Sequence, residues 1–291
     1  QNRFGSALRS TKIQLMEILI FFFGHWYLSL FFQTIYHHRY AAHKMFTMSK
    51  ASEKVFFILS FITQGSSYLS PYVYGILHRL HHAYADTEKD PHSPKYSDNI
   101  FQMMWQTKDI YNGILKNKME VEDKYTHSLP KWEKFDKFAD SWYSRIGWGT
   151  VYVAFYAAFV PAGMWYLWFL LPVHFAIGPV HGAVINWFAH KIGYTNFRVK
   201  DTSKNLAPVD VFMLGEGFHN NHHKYSGRPN FGVRWFEFDP VYPVILLFDK
   251  IGIIQLNKKE PIPISKKAAD LGSAEEVNST KGAEQRLQHQ E

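Results

Sequence analysis

Apolar runs separated by polar stretches set the outline of the chain. The first run, residues 13–36, contains a single acid, Glu17, and a single histidine, His25. At about 1.5 Å per residue, a helix of this length crosses about 30 Å of hydrocarbon. The run therefore predicts a membrane-spanning helix that ends at the sequence HHRYAAHK, residues 37–44.

The second run, residues 55–77, is apolar but interrupted by Gly65, Ser66, Ser67 and Pro71. Two full spans need roughly 40 residues, and residues 44–77 are too few. A single span would put the histidines at its two ends on opposite faces of the membrane. We therefore expect this segment to lie along the interface, or to dip in and return, with its break at Gly65–Ser67.

The third run, residues 148–171, predicts a second span. Pro172 marks a turn, and residues 173–190 lead back, so 148–190 is expected to form a helical hairpin. These patterns predict an all-α integral membrane helical protein with a cytoplasmic helical cap. Its expected parts are a polar N-terminal segment at 1–12, a membrane domain at 13–263 and a disordered polar tail at 264–291.

Charge sets the expected orientation. Residues 86–145 carry ten Lys and Arg, whereas residues 171–173 carry none, which predicts that 86–145 is cytoplasmic. The net charge of +7 is spread among acids, which favours membrane-proximal bases over a nucleic-acid partner. The chain has no cysteine, which excludes disulfides, Cys-ligated zinc and iron–sulfur ligation by this chain.

The pattern H-x-x-H-H occurs twice, at residues 78–82 and 219–223. On a helix, positions i, i+3 and i+4 fall within an arc of about 100°. Each triple of histidines is therefore predicted to converge on one point. Two more pairs stand near predicted span ends: HRYAAH, residues 38–43, and NWFAH, residues 186–190.

The first of these pairs has an unusual spacing. Its histidines are five residues apart, or about 140° on an ideal helix, so they converge only at a bent or frayed helix end. Nine imidazoles and one amide at one membrane level indicate a site for two metal ions, and imidazole suits zinc, copper, iron and nickel. The candidate ligands are His38, His43, His78, His81, His82, Asn186, His190, His219, His222 and His223.

The remaining histidines have other interpretations. His25, His174 and His181 lie inside apolar spans and are expected to be hydrogen-bonded core residues. His37 and His127 lack a partner at helical spacing.

The positions of acidic residues relative to the histidines disfavour some classes of metal site. The only E-x-x-H motif runs from Glu216 to His219, which disfavours a carboxylate-bridged bundle site. The absence of H-E-x-x-H disfavours a zinc protease. Asp90, His92 and Glu216 are candidates for orienting the imidazoles, although DPHSP, residues 90–94, is also typical of a turn.

The motifs HRYAAH, HRLHH and GEGFHNNHH, together with NWFAH and DPHSP, resemble the integral-membrane fatty acid desaturases of the acyl-CoA (stearoyl-CoA) type, in particular short bacterial members. The resemblance implies two iron ions bound by the candidate ligands above, with Asn186 touching one metal through water. It also implies dioxygen as co-substrate, a bilayer location with the active site facing the cytoplasm (in bacteria, the inner membrane), and a separate electron donor such as ferredoxin or a small cytochrome.

The implied reaction places a cis double bond, with carbons 9 and 10 as the candidate position, in a long-chain acyl substrate held in a narrow apolar tunnel. Trp187, Phe188 and Tyr68 are candidates for its wall. Two features depart from the family. One clear span precedes the first box instead of a helical hairpin, and Tyr74–Leu77 replace a W-x-R-D run. The second departure leaves CoA, lipid and carrier-protein substrates open.

Two alternatives remain open from the sequence. Membrane hydroxylases also use histidine clusters and share the hydrogen-abstraction step. A non-enzymatic metal carrier would instead require polar residues along the middle of several spans, and only Glu17 and His25 interrupt the first span.

Overall fold

The computed structural model describes residues 2–257, with side chains described from residue 11 onward. The predicted tail at 264–291 lies outside these residues. The described chain is mainly α-helical, as predicted. Its α-helices are α1 Asn2–Phe32, α2 Lys50–Gln64, α3 Pro71–Tyr84, α4 Ile100–Leu115, α5 Asp123–Thr126, α6 Glu133–Ala139, α7 Trp142–Phe159, α8 Leu171–Phe175, α9 Ile177–Ala183, α10 His219–Lys224 and α11 Tyr242–Lys250.

Other elements join or close these helices. Strands β1 Phe46–Met48 and β2 Ile254–Leu256 pair antiparallel, with Phe46 opposite Leu256. Two π-helices and two 3₁₀ turns complete the described elements: Gln33–Ala42, Val184–Phe188, Gly65–Ser67 and Trp165–Leu170.

The first predicted span is one long helix. Helix α1 begins at Asn2, so its first turns are formed by residues of the segment 1–12 that was predicted as a polar N-terminal part. At its other end, α1 runs directly into the π-helix Gln33–Ala42. Within the described residues, Thr11–Ala42 is the unbroken helical segment long and apolar enough to cross a membrane. A second segment meets that test only if Trp165–Phe175 and Ile177–Phe188, which meet at 76°, form one broken span.

The second apolar run is broken at Gly65–Ser67, as predicted. Helix α2 packs on α1 and ends at Gln64, with Gly65 (φ +54°) as its C-cap. After the turn Gly65–Ser67, helix α3 packs against the π-helix Gln33–Ala42. The Ser66 carbonyl accepts a hydrogen bond from Arg145 (2.7 Å), and the Ser66 N–H donates to the Tyr152 hydroxyl (3.2 Å). This break brings the first two histidine boxes together.

The hairpin prediction needs a correction. Helix α7 ends at Phe159, so residues 148–171 are not one span, and the turn lies at Val160–Met164 rather than at Pro172. Pro161 has no N–H and disfavours helical geometry at the residue before it, and Val160 is extended (ψ 120°). Pro172 instead occupies the first turn of α8, where a missing N–H costs nothing.

Gly65 should tolerate substitution poorly. A Cβ there would lie 1.7 Å from the Tyr152 hydroxyl oxygen, on a backbone with positive φ. We expect Gly65→Ala to destabilise the protein by about 2 kcal/mol, from strain and the lost Ser66–Tyr152 hydrogen bond. Thermal unfolding in detergent measures this. The matched control is Gly147→Ala within α7, where a Cβ meets nothing within 4 Å. Equal melting temperatures for the two variants would contradict the expectation.

Candidate metal centre

The first histidine box lies on the π-helix Gln33–Ala42 and its C-cap. The His43 N–H donates to the His38 carbonyl (3.2 Å), an i to i+5 hydrogen bond. This wider turn places residues five apart on one face, which a regular α-helix does not. The local geometry thus meets the requirement for a distorted helix end that the spacing of His38 and His43 predicted.

The two H-x-x-H-H boxes divide their histidines between two groups. Our prediction that each triple converges on one point was wrong. In α3, His78 and His82 belong to one group and His81 to the other. In α10 the division is reversed, with His219 and His223 in the second group and His222 in the first. Two histidines four residues apart share a helix face, whereas the middle histidine of each box, His81 or His222, is rotated away from that face.

The first group contains five histidines whose ligand atoms lie within 4.8 Å of one another: His38, His43, His78, His82 and His222. The Nε2 atoms of His43 and His78 are 2.8 Å apart, and those of His78 and His82 are 3.0 Å apart. The Nε2 atom of His222 lies 2.9 Å from that of His82 and 3.0 Å from that of His38.

The second group contains four histidines that meet the same distance condition: His81, His190, His219 and His223. The Nε2 atoms of His190 and His219 are 3.1 Å apart, and those of His81 and His223 are 3.2 Å apart. The rings of His82 and His223 lie 4.6 Å apart between centroids, so the two groups adjoin. All nine predicted histidines therefore meet in two neighbouring clusters.

In several of these rings, Nε2 faces the cluster and the other nitrogen, Nδ1, is hydrogen-bonded to a carboxylate. The Nδ1 atom of His38 lies 2.6 Å from Glu216 Oε2, and that of His81 lies 3.0 Å from both Asp90 oxygens. Glu216 also accepts a hydrogen bond from the Thr34 hydroxyl. Such partners fix ring orientation and tautomer, the role considered for Asp90 and Glu216 from the sequence. Among the described residues, neither nitrogen of His92 has a hydrogen-bond partner.

Three residues with the same geometry were not predicted. The Nδ1 atom of His223 lies 2.9 Å from Asp201, and that of His190 lies 3.2 Å from the Thr202 hydroxyl and 3.6 Å from Asp86. Asp86 in turn accepts hydrogen bonds from the Thr202 N–H and hydroxyl. Asp86 follows the second box by four residues, which was an available signal. Asp201 and Thr202 come from a distant loop, and no local pattern indicated them.

The donor set fits metal ions. Rings that present Nδ1–H to a carboxylate carry a lone pair on Nε2, and several such lone pairs at about 3 Å repel one another unless a cation lies between them. Two nitrogens that are each about 2.1 Å from one ion stand about 3.0 Å apart at an octahedral angle and about 3.4 Å apart at a tetrahedral one, and the observed spacings of 2.8–3.2 Å lie near the lower of these values. Each group could therefore hold one ion of a metal that prefers imidazole, iron included.

The protonation states support this interpretation. Burial, followed by repulsion from neighbouring imidazolium charges, lowers the pKa of His43, His78 and His222 well below the ordinary value. Burial lowers the pKa of His81 to about 3. These rings are neutral near pH 7, and the neutral imidazole is the form that binds metals.

A buried arginine ties the first box to the loop after the third. Arg39 is fully buried, and its Nη2 lies 2.7 Å from Asp239 Oδ2. Its Nε donates to the Pro229 carbonyl (3.1 Å), and its guanidinium stacks 4.0 Å above the Phe231 ring. The residue next to His38 is therefore fixed to the segment that follows α10, which sets the first box against the third.

The other histidines lie outside both groups. His25 and His174 form the hydrogen-bonded pair expected of core residues, with their Nδ1 atoms 2.6 Å apart, and the Tyr156 hydroxyl lies 3.0 Å from His174 Nε2. His37 bonds through Nε2 to the Leu69 carbonyl (2.8 Å). His127 is exposed.

A cavity of about 800 Å³ opens onto the clusters. His38, His78 and His219 line it, as does Asn186, the predicted amide. Tyr68 lines it as predicted, whereas Trp187 and Phe188 are not among its lining residues. Most of the remaining wall is apolar or aromatic, and its basic members include Lys108, Lys116 and Arg145.

The chain is similar in sequence to known proteins. The family model described as fatty acid desaturase matches residues 15–249. The chain is 27% identical over 230 residues to delta-9 desaturase-like 5 protein of Arabidopsis thaliana, covering 76% of this chain and 70% of the relative. It is 27% identical over 221 residues to delta-9 acyl-lipid desaturase 2 of the same plant (76% and 68%). It is 26% identical over 257 residues to hex-5-enoyl-[acyl-carrier protein] acetylenase of Moorena producens (79% and 74%).

Proposed function

Because this chain belongs to the fatty acid desaturase family, we propose that it is a membrane-bound di-iron enzyme that inserts a cis double bond into a saturated acyl chain. Family membership makes it an oxidoreductase, which sets aside the metal-carrier alternative. One observation carries the proposal: two adjoining imidazole clusters each contribute at least one histidine to the wall of a largely apolar cavity of about 800 Å³.

The proposed reaction needs a strong oxidant. The acyl chain loses one hydrogen from each of two adjacent carbons, and dioxygen, two external electrons and two protons yield two waters. No side-chain acid or base removes hydrogen from an unactivated methylene, so a pair of iron ions, when bound, would supply this oxidising power.

The protein's own residues would hold the ions and position the acyl chain. The nine histidines would hold the ions, with Asn186 as a further contact through water. Carboxylates fix the orientation of three of these rings by hydrogen bonds at Nδ1: Glu216 at His38, Asp90 at His81 and Asp201 at His223. The cavity would exclude water and keep one segment of the chain against the clusters, since a misplacement of about 1 Å can cost a hundredfold in rate.

The names of the relatives support carbons 9 and 10 as the site of oxidation, since several are called delta-9 desaturases. They leave the carrier open, because the printed names include an acyl-lipid and an acyl-carrier-protein enzyme. Lys108 and Lys116 in the cavity wall would suit a phosphate-bearing carrier, of which CoA, phospholipid and carrier protein are all examples.

The proposed setting is a bilayer crossed by Thr11–Ala42. The basic segment 86–145 would then place the histidine clusters at the cytoplasmic surface. A separate ferredoxin or small cytochrome would deliver electrons from that side.

Expression in a host that lacks its own desaturase tests this proposal. We expect new cis-monounsaturated fatty acids in the host lipids, detected by gas chromatography with mass spectrometry. The matched control carries alanine at both His81 and His82. Hydroxylated acids without monoenes would favour the hydroxylase alternative, and an unchanged profile in a host that supplies reduced ferredoxin would contradict both.

A further inference from the structure

His181 stands apart from every other buried histidine in the spans. It lies in α9, is 1% exposed and lines the cavity. Among residues 11–257, neither of its ring nitrogens finds a hydrogen-bond partner. Its ring lies perpendicular to that of Trp26, with 4.5 Å between centroids. The expectation of a hydrogen-bonded core residue was therefore wrong for His181, although it holds for His25 and His174.

A buried imidazole without hydrogen-bond partners in a cavity wall indicates that a bound molecule pairs with it. A neutral imidazole has one N–H donor and one acceptor nitrogen, and burying either without a partner is unfavourable. The described residues supply neither partner, and the cavity that His181 lines is where a bound molecule would meet this ring. The wall beside it is open, since a Cβ on Gly182 would meet nothing nearer than the Asn186 amide nitrogen, at 3.9 Å.

The position of His181 along the wall suggests which ligand atom it meets. It precedes His190, a member of the second cluster, by nine residues of α-helix, π-helix and turn. These correspond to a rise of at most about 13 Å, because a π-helix is wider and rises less per residue than an α-helix. An extended carbon chain advances about 1.25 Å per bond, given C–C bonds of about 1.5 Å, so this rise corresponds to at most about ten bonds. Eight bonds separate the carbonyl carbon of an acyl group from carbon 9, the carbon that delta-9 names specify.

We propose that His181 is a positioning residue that donates a hydrogen bond to the carbonyl oxygen of the bound acyl group. This contact sets the register of the chain, counted from the carbonyl end, and so decides which carbons face the metal clusters. The inference rests on the proposed function and adds to it a polar anchor, apart from the clusters, for the acyl end of the substrate.

The test compares double-bond positions in a desaturase-deficient host fed hexadecanoic or octadecanoic acid. The wild-type protein should place the bond at the same distance from the carbonyl in both chains. His181→Leu, which has similar volume but no polar atom, should lower the selectivity between neighbouring positions about tenfold, the size expected for one lost hydrogen bond. His181→Asn, which keeps a donor, should retain most of it. Mass spectrometry of dimethyl disulfide adducts reads the positions, and iron content should stay at the wild-type value.

The other outcomes are distinct. Unchanged bond positions and yield in His181→Leu would overturn the proposal, as would bond positions that follow the methyl end in the wild type. Feeding a terminally hydroxylated octadecanoic acid tests a polar group at the far end: if the wild type prefers it and His181→Leu does not, the ligand is not the carbonyl. If His181→Leu fails to accumulate, His181→Met, which also lacks a hydrogen-bond donor, replaces it in the comparison with His181→Asn, and equal selectivity of these two variants would overturn the proposal. A wild-type protein that forms no double bond refutes the proposed function itself.

Discussion

His82→Ala should reduce double-bond formation to less than about 1% of the wild-type amount. The His82 Nε2 lies about 3 Å from those of His78 and His222, so its loss opens the first cluster. Changing a residue that merely orients a metal ligand typically costs about 10–100-fold, and removing a ligand should cost more. His81→Ala should have the same effect through the second cluster. Fatty acid profiling of the expression host measures both losses.

Iron content separates loss of a metal from loss of the fold. We expect about two iron ions per chain in the purified wild-type protein, by analogy with other di-iron sites, and about one or fewer in either variant. His81 and His82 are neighbours in sequence but belong to different clusters, so they form a matched pair.

His127→Ala is the control, because His127 is exposed and its hydrogen bonds within the described residues are made by its backbone: its N–H donates to the Asp123 carbonyl (3.2 Å), and its carbonyl accepts from Arg79 (2.9 Å). Its activity and iron content should stay within about twofold of the wild-type values. A His82→Ala protein with full iron and more than one-tenth of the activity would rule out His82 as a ligand.

The sequence contained most of the site because its ligands are spaced by helix geometry. H-x-x-H-H puts three imidazoles on adjacent faces of one turn, and an interruption at Gly65–Ser67 was required to return the second box to the first. The sequence could not show that the three histidines of each box are shared between the two clusters. That division depends on how α3 and α10 lie against each other, because His81 and His222 each turn towards the opposite box's pair.

Two failures have clear physical reasons. The turn was placed at Pro172 because apolar residues continue to that point, yet Pro161 ends α7 eleven residues earlier. Hydropathy does not distinguish a helix interior from a capped end, whereas the missing N–H of proline does. Asp201 and Thr202 were missed because they reach His223 and His190 from a loop whose position depends on tertiary packing.

Glu216→Gln should lower iron retention and activity about 10–100-fold. The Glu216 carboxylate accepts from His38 Nδ1 (2.6 Å) and from the Thr34 hydroxyl, and it lies 3.6 Å from the buried Arg39 guanidinium. Glutamine keeps the volume but loses the charge, and its amide presents one acceptor oxygen where the carboxylate presents two. His38 would then lose the partner that holds its Nε2 towards the cluster. Chelator competition on the purified protein measures iron retention, and fatty acid profiling measures activity.

The fold should survive this substitution, because Arg39 keeps its shorter ion pair with Asp239. Iron loss without a large fall in melting temperature would therefore identify an effect on the ligand. Asp90→Asn makes the corresponding change behind His81 in the second cluster, and Glu122→Gln, which affects only an exposed pair with Lys124, should change neither quantity. If Glu216→Gln released iron no faster than Glu122→Gln does, the Glu216–His38 contact would be structural, and the first cluster would hold its ion without help from this carboxylate.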